Sequence, residues 1–92
     1  DELILYQNYP NPFNPTTTIA FSLPEDALVS MQIYNILGQK VHDAANNIFM
    51  QEGLNSVTFD ATSLSSGVYF YRVIANGESS SFQSMKKMIL VK

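Results

Sequence analysis

Apolar and polar side chains alternate along most of the chain, and this period of two constrains the fold more than any other feature of the sequence. Alternation places every second side chain on the same face of a β-strand, so residues 18–23 present one apolar and one polar face. Residues 29–33 and 55–60 repeat the pattern. Half-buried strands of this kind are typical of antiparallel sheets with one side on a core. The apolar positions are Ile19, Phe21, Leu23, Val29, Met31, Ile33, Val57 and Phe59.

Further strands are predicted around these three. Residues 3–6 form a short opening strand, and residues 39–45 form a weaker one whose end is poorly marked. The apolar run at residues 47–50 fits either a strand or a loop. Residues 67–75 and 88–91 are apolar on both faces, which fits strands that are covered on two sides or that meet a partner. The total is about seven strands, the number expected of a β-sandwich.

Turn residues separate the strands. Asn76-Gly77 favours a type I′ hairpin turn, because both central residues of that turn need a positive φ. Asn35 and Gly38 stand at the first and fourth positions of a type I turn. Proline lacks the N–H that a central strand donates, so Pro10 to Pro15 is predicted to be a stiff edge or crossover segment. Only residues 63–66 could hold a helical turn.

A local pattern narrows the architecture to an immunoglobulin-like sandwich. Leu64 and Gly67 precede Tyr69 at the start of the longest strand, where sandwiches of this class carry a tyrosine whose hydroxyl bonds upstream backbone. Tyr71 follows where an antibody domain has its second cysteine; alternatively, both tyrosines are ordinary core residues. The predicted fold is all-β: an immunoglobulin-like antiparallel β-sandwich of about seven strands, with residues 1–92 as a single domain.

Composition excludes several functions. The net charge of −3 argues against a nucleic-acid partner. The absence of cysteine removes disulfides, thiolate metal sites and a cysteine nucleophile, and no segment has the length of a membrane span. His42-Asp43 is the only histidine beside a carboxylate, and no nucleophile or oxyanion site accompanies it. The acidic residues show no calcium-loop spacing. We therefore expect no cofactor, no metal and no enzyme activity.

Two surface features leave alternatives open. Aromatic residues could form a carbohydrate platform if they are coplanar and exposed, although packing is the ordinary role of such side chains. The C-terminal segment 85–92 carries three of the five basic residues, which either discourage edge pairing or are read by a partner. The aromatic candidates are Tyr9, Phe13, Tyr34, Phe70 and Phe82.

Four blocks of sequence, in order, resemble a known family. Residues 8–15 (NYPNPFNP) and the TTxIxFxLP pattern at 16–24 are similar to its Pro/Asn signature. Residues 29–41 resemble its second block, and residues 64–73 and 86–92 its last two. The family is the type A C-terminal sorting domain of the type IX secretion system of Bacteroidota-like bacteria. The immunoglobulin-like domain of flagellar hook-capping proteins is also similar.

The resemblance implies a function. Family members sit at the C-terminus of exported proteins and direct the cargo through the outer-membrane translocon, after which a sortase-like protease commonly removes them. The implied partners are translocon components, that protease and an N-terminal cargo domain. The implied location is the cell surface or the medium, reached through the periplasm and outer membrane. Because the chain begins with Asp1 and not Met, we expect it to be a piece of a longer exported protein.

The residues expected to carry sorting follow from the resemblance, and we expect the final strand, residues 85–92, with residues 67–72, to carry recognition. The prolines and asparagines of residues 11–15 are either read by a partner or form a stiff crossover with local Asx bonds, the role we favour. A passive spacer, a carbohydrate-binding module, a flagellar scaffold domain and a homodimer are alternatives. The residues are Asn11, Pro12, Phe13, Asn14, Pro15, Gly38, Gly67, Tyr69, Lys86, Lys87 and Lys92.

Overall fold

The chain forms seven β-strands in a computed structural model that describes residues 2–92. No helix occurs in that range, so none of its residues lies in a helix able to cross a membrane. The all-β prediction is confirmed, including the number of strands. The strands are β1 (Ile4–Leu5), β2 (Thr16–Leu23), β3 (Ala27–Tyr34), β4 (Lys40–Met50), β5 (Gly53–Asp60), β6 (Gly67–Gly77) and β7 (Ser81–Leu90).

The strands form two antiparallel sheets that pack as a sandwich. One sheet has the order β1-β2-β5, and the other has the order β4-β3-β6-β7. In a constant-type immunoglobulin domain the fourth strand joins the sheet of the first strand, whereas here β4 pairs with β3. The predicted immunoglobulin-like sandwich is therefore confirmed, with the fourth strand in the opposite sheet.

The core lies between the sheets and is built from the inward positions of the alternating strands. Every apolar position predicted from the period of two in β2 and β3 is buried, and Phe59 of β5 is buried as well. Val57 is half-buried and packs against the core. The largest fully buried side chains are Tyr71, Phe21, Ile19, Met31, Ile33, Met88 and Leu90.

Strand β4 is longer than the sequence indicates, because the ambiguous residues 47–50 continue it. The pairing of β3 with β4 contains register shifts, and Asn47 has a φ of 56°. An irregular pairing disrupts the alternation of side chains. This irregularity explains why the apolar pattern of residues 39–50 was weak.

The β6–β7 hairpin exists, but the turn is not centred on Asn76-Gly77 as predicted. Asn76 and Gly77 end β6, and the Gly77 N–H donates to Ser80 O at 2.8 Å across the turn. Gly77 leaves room for the side chain of Glu25: a Cβ at position 77 would lie 2.6 Å from Cδ of Glu25. That carboxylate accepts hydrogen bonds from Ser79 Oγ at 2.6 Å and Ser79 N at 3.3 Å. Asn76 and Gly77 therefore do not form the predicted turn, and Gly77 instead lies against the side chain of Glu25.

Two other connections were predicted with mixed success. In the β3–β4 turn the Gly38 N–H donates to Asn35 O at 3.0 Å, and Gly38 has a φ of 82°, so the predicted turn is confirmed. The side chain of Asn35 closes it by accepting from the N–H groups of Leu37 and Gln39. Residues 61–66 form a hydrogen-bonded turn, with Leu64 N donating to Ala61 O, and no helix.

Candidate functional site

The Pro/Asn segment, residues 8–15, crosses from one sheet to the other and covers the end of the last strand. Tyr9 bridges to Thr18 of β2, and Phe13 bridges to Leu90 of β7 in parallel. The Phe13 N–H donates to Ile89 O, and the Val91 N–H donates to Phe13 O, both at 3.0 Å. The prediction of a crossover is therefore confirmed. The first and last sequence blocks of the chain lie side by side.

The five residues from Asn11 to Pro15 differ in burial, and Pro15 is half-buried. Phe13 is 2% exposed and packs its ring against Phe59, whereas Asn11, Pro12 and Asn14 face solvent. The expected local bonding of the asparagines is wrong for Asn11. Its Oδ1 accepts the N–H of Ile89 at 3.0 Å, 78 residues away, because the edge of β7 offers an unpaired donor there.

A buried polar cluster fixes the start of this segment. Asn8 and Thr17 are almost fully buried. Asn8 Nδ2 donates to Pro10 O and to Thr17 Oγ1, both at 3.1 Å, and Thr17 Oγ1 donates to Pro10 O at 2.8 Å. Proline cannot donate, so side chains complete the bonding that a strand would otherwise supply. Our sequence reasoning missed both residues, although Asn8 opens the Pro/Asn block.

Two tyrosines of β6 hold the crossovers in place. Tyr69 donates its hydroxyl to Ser65 O at 2.7 Å, which confirms the predicted corner. The hydroxyl of Tyr71, which is fully buried, donates to Tyr6 O at 2.8 Å and accepts the Asn8 N–H at 2.9 Å. Burial raises the pKa of Tyr71, and the bond from Asn8 partly opposes that rise. Tyr71 therefore connects the two sheets where an antibody domain uses a disulfide.

The predicted lysines and Gly67 lie on β7, beside it or directly after it, whereas Gly38 does not. Lys86 and Lys87 are on β7, and the Lys87 carbonyl accepts Gln7 Nε2 at 2.8 Å. Lys92 reaches the 61–66 turn, where its Nζ donates to Thr62 O at 2.6 Å. Gly67 pairs with Leu90 at the start of β6. Gly38 lies apart, in the turn between β3 and β4.

The first half of β7 has an open edge. Ile89 directs its N–H and C=O away from β6, toward Asn11 and Phe13. Because backbone groups alternate along an antiparallel strand, Gln83 and Met85 also direct theirs away from β6. Within residues 2–92 these groups have no partner. The β6–β7 ladder has no register shift from Ser81 to Leu90, so the open edge contains no bulge.

The aromatic side chains do not form a shared platform. Phe13 is in the core, Phe82 packs against the core, and Tyr9 is exposed on the crossover. Tyr34 and Phe70 lie on the outer face of the four-stranded sheet, where the Arg72 guanidinium lies 5.2 Å from the centroid of the Tyr34 ring and bonds its hydroxyl. A sugar ring therefore has no open stack of aromatic faces among these five residues.

The groups able to do acid–base chemistry are dispersed. His42 packs on the ring of Phe59, while Asp43 pairs with Lys40 at 3.1 Å, so the adjacent histidine and carboxylate have separate surroundings. Across residues 2–92 no group of histidine and carboxylate side chains is arranged to hold a metal. The bonds from Ser79 lower the pKa of Glu25. Asp60, bonded by Thr62, has its pKa lowered in the same way.

These features define a small β-sandwich whose last strand has a core-facing side, a half-covered edge and basic side chains. The chain belongs to the family of secretion system C-terminal sorting domains, whose model matches residues 7–91. The resemblance to type IX sorting domains is confirmed. A domain of this family is a sorting signal for secretion toward the cell surface and outer membrane. Comparison with curated proteins gave no match.

Two of the solved structures that resemble this chain illustrate the shared fold. CopC from Methylosinus trichosporium OB3b is 14% identical, with a TM-score of 0.63 over 97% of this chain and 93% of that one. PorZ of Porphyromonas gingivalis, described as an essential bacterial surface component of the type-IX secretion system, is 21% identical with a TM-score of 0.59. That match covers 96% of this chain but 11% of PorZ. At these identities the likeness concerns the fold.

Proposed function

We propose that this chain is a non-catalytic sorting domain that directs an attached N-terminal cargo through the type IX translocon as a folded signal. The family match over residues 7–91 is the observation that carries the proposal. A sortase-like protease then separates the domain from its cargo at the cell surface. Residues 1–92 act as one domain in this role.

The recognised surface is the last strand, β7, together with the start of β6. The open edge at Gln83 and Met85 supports this choice, because unpaired N–H and C=O groups can bond an added strand. Lys86 and Lys87 lie where the open half of β7 meets the covered half. Their positive charges favour a partner strand that carries carboxylates.

Deleting residues 85–92 does not test recognition alone. Met88 and Leu90 are buried, and the deletion removes them from the core together with the partner of Phe13. Substitutions on the open edge separate the two effects. Gln83 is exposed and its N–H points away from β6, so Gln83→Pro blocks an added strand and keeps every bond to β6.

The other sheet offers a matched control. In β2, the backbone groups of Thr18 and Ala20 point toward Tyr9 and Tyr6, away from β5. Ser56 of β5 lies opposite Ala20 in a pair without hydrogen bonds, so its N–H points to the outer edge of the sheet, as that of Gln83 does. Ser56→Pro therefore places the same change on an edge outside the proposed surface.

Export of a reporter fused to this domain, in a bacterium with a type IX system, tests the proposal. Failure of the unmodified domain to export the reporter would refute the sorting function. With that export established, we expect Gln83→Pro to abolish it and Ser56→Pro to preserve it. Equal export of the two variants, both shown to be folded by thermal unfolding, would overturn the choice of β7.

A further inference from the structure

A small cup lies on the outer face of the four-stranded sheet, beside the β3–β4 turn. It has a volume of about 260 Å³, and its lining includes Tyr34, Ile36, Phe70, Arg72 and Met85. Its rim is apolar and open to solvent, since Ile36 is 69% exposed and Met85 is 52% exposed. We call this feature the Arg72 cup.

Neutral neighbours hold the guanidinium of Arg72 in one place. Its Nη2 donates to Tyr34 Oη at 2.6 Å and to Gln32 Oε1 at 3.1 Å, and its Nε approaches the same Gln32 oxygen at 3.4 Å. The Tyr34 hydroxyl donates in turn to Gln32 Oε1 at 3.3 Å. The Nη1 atom donates to no group among residues 2–92. The Arg72 side chain is therefore fixed, and its Nη1 is free to donate to a ligand.

The charge of Arg72 is not matched by a carboxylate. Within residues 2–92 the one ion pair joins Lys40 and Asp43. Four carboxylates lie at the opposite end of the sandwich, on the β2–β3, β4–β5 and β6–β7 connections; they are Glu25, Asp26, Glu52 and Glu78. The guanidinium of Arg72 is therefore fixed beside apolar side chains and has no carboxylate partner within residues 2–92. It can form an ion pair with a carboxylate supplied by another molecule.

We propose that the Arg72 cup binds a carboxylate side chain of the protein that recognises this domain, carried on a segment with apolar residues on either side. A carboxylate can accept a charge-assisted N–H bond from the free Nη1 of the guanidinium. Apolar contacts at Ile36 and Met85 exclude water and so strengthen that ion pair. A fixed arginine and tyrosine surrounded by apolar side chains have the composition of an interface hot spot.

The geometry favours a protein carboxylate over a sugar. Stacking on a sugar needs an open aromatic face, whereas the Tyr34 ring has the Arg72 guanidinium bonded to its hydroxyl and 5.2 Å from its centroid. Phe70 is half-buried between its neighbours on the sheet. The identity of the partner as a translocon component rests on the proposed function, whereas the carboxylate chemistry rests on the cup itself.

Export of the reporter fusion tests the inference with three variants. Arg72→Glu reverses the charge, and Arg72→Lys keeps the charge but loses the fork. Lys40→Glu makes the same charge change on β4 outside the cup lining. Once the unmodified domain is shown to export, we expect both Arg72 variants to lower export by about tenfold or more, and Lys40→Glu to leave it near normal. Thermal unfolding of each purified variant confirms that it is folded.

Suppressor selection then identifies the partner group. Starting from Arg72→Glu, we expect restored export to arise from changes of an acidic residue to lysine or arginine in a translocon component. Normal export by a folded Arg72→Glu variant would overturn the inference while leaving the sorting function in place. Concentration-dependent self-association of the domain that Arg72→Glu abolishes would also overturn it, because the occupant would then be the acidic end of a second copy.

Discussion

Replacing Tyr71 with phenylalanine tests whether a buried hydroxyl holds the two sheets together in the absence of a disulfide. The change removes one oxygen and keeps the ring, so the packing of the core is preserved. Two hydrogen bonds are lost: the one accepted from Asn8 N at 2.9 Å and the one donated to Tyr6 O at 2.8 Å. Asn8 is 2% exposed, so water cannot replace the first of them.

The expected loss of unfolding free energy follows from these two groups. Each bond contributes about 1 kcal/mol, and a buried N–H without a partner costs about 1–3 kcal/mol. Because Tyr6 is partly exposed, its carbonyl regains a bond from water. We therefore expect Tyr71→Phe to destabilise the domain by about 2–3 kcal/mol, which lowers the melting temperature by roughly 8–24 °C at this size.

Urea unfolding of Tyr71→Phe and of a matched variant tests this expected loss of unfolding free energy. Tyr69→Phe removes a hydroxyl from a neighbouring position of the same strand, where it makes one bond, to Ser65 O near the surface. We expect that variant to lose about 1 kcal/mol, with both variants shifting the urea midpoint and leaving the slope unchanged. A loss for Tyr71→Phe no larger than that for Tyr69→Phe would refute the idea that Tyr71 replaces the disulfide.

Three further predictions concern packing and pH. Phe13→Ala, at a residue 2% exposed, should cost about 3–5 kcal/mol in chemical unfolding, whereas Asn11→Ala should cost about 1 kcal/mol; equal losses would contradict the assigned roles. Gly77→Ala should destabilise slightly because its Cβ displaces the flexible side chain of Glu25 from Ser79, and Glu25→Ala should remove that penalty in a double-mutant cycle. Because the pKa of Glu25 is lowered in the folded state, its contribution is complete above the ordinary glutamate pKa and declines as the pH falls through the folded value. Ser79→Ala should flatten the acid limb of a plot of stability against pH, and an unchanged limb would contradict this.

Most of the fold could be read from the sequence because its strands are half-buried. The alternation of Ile19, Phe21 and Leu23 records which face meets the core, and the structure buries all three. Prediction failed where the pattern had another cause. Asn76-Gly77 has the residues of a tight turn, yet Gly77 is small to admit Glu25 from another connection. Such a contact joins residues far apart in the chain, and no local rule contains it.

The candidate site was only partly predictable for the same reason. The blocks at residues 11–15 and 86–92 were identified separately, and only the fold shows that they adjoin. Arg72 was named within its strand, with no sign that Tyr34 and Gln32 hold its guanidinium. Cross-strand neighbours depend on register. The alternation alone does not specify the register between strands that are far apart in the chain, such as β3 and β6.

The same period of two explains how one strand can serve both the core and a partner. The even-numbered residues of β7 face inward, and the last two of them, Met88 and Leu90, are buried. The odd-numbered residues face outward, with Met85 on the rim of the Arg72 cup. Their backbone groups also point to the edge, where Asn11 covers Ile89 and leaves Gln83 open. Core packing therefore lies on the even-numbered residues Met88 and Leu90, so substitutions at odd positions of β7 test the proposed recognition while the core stays intact.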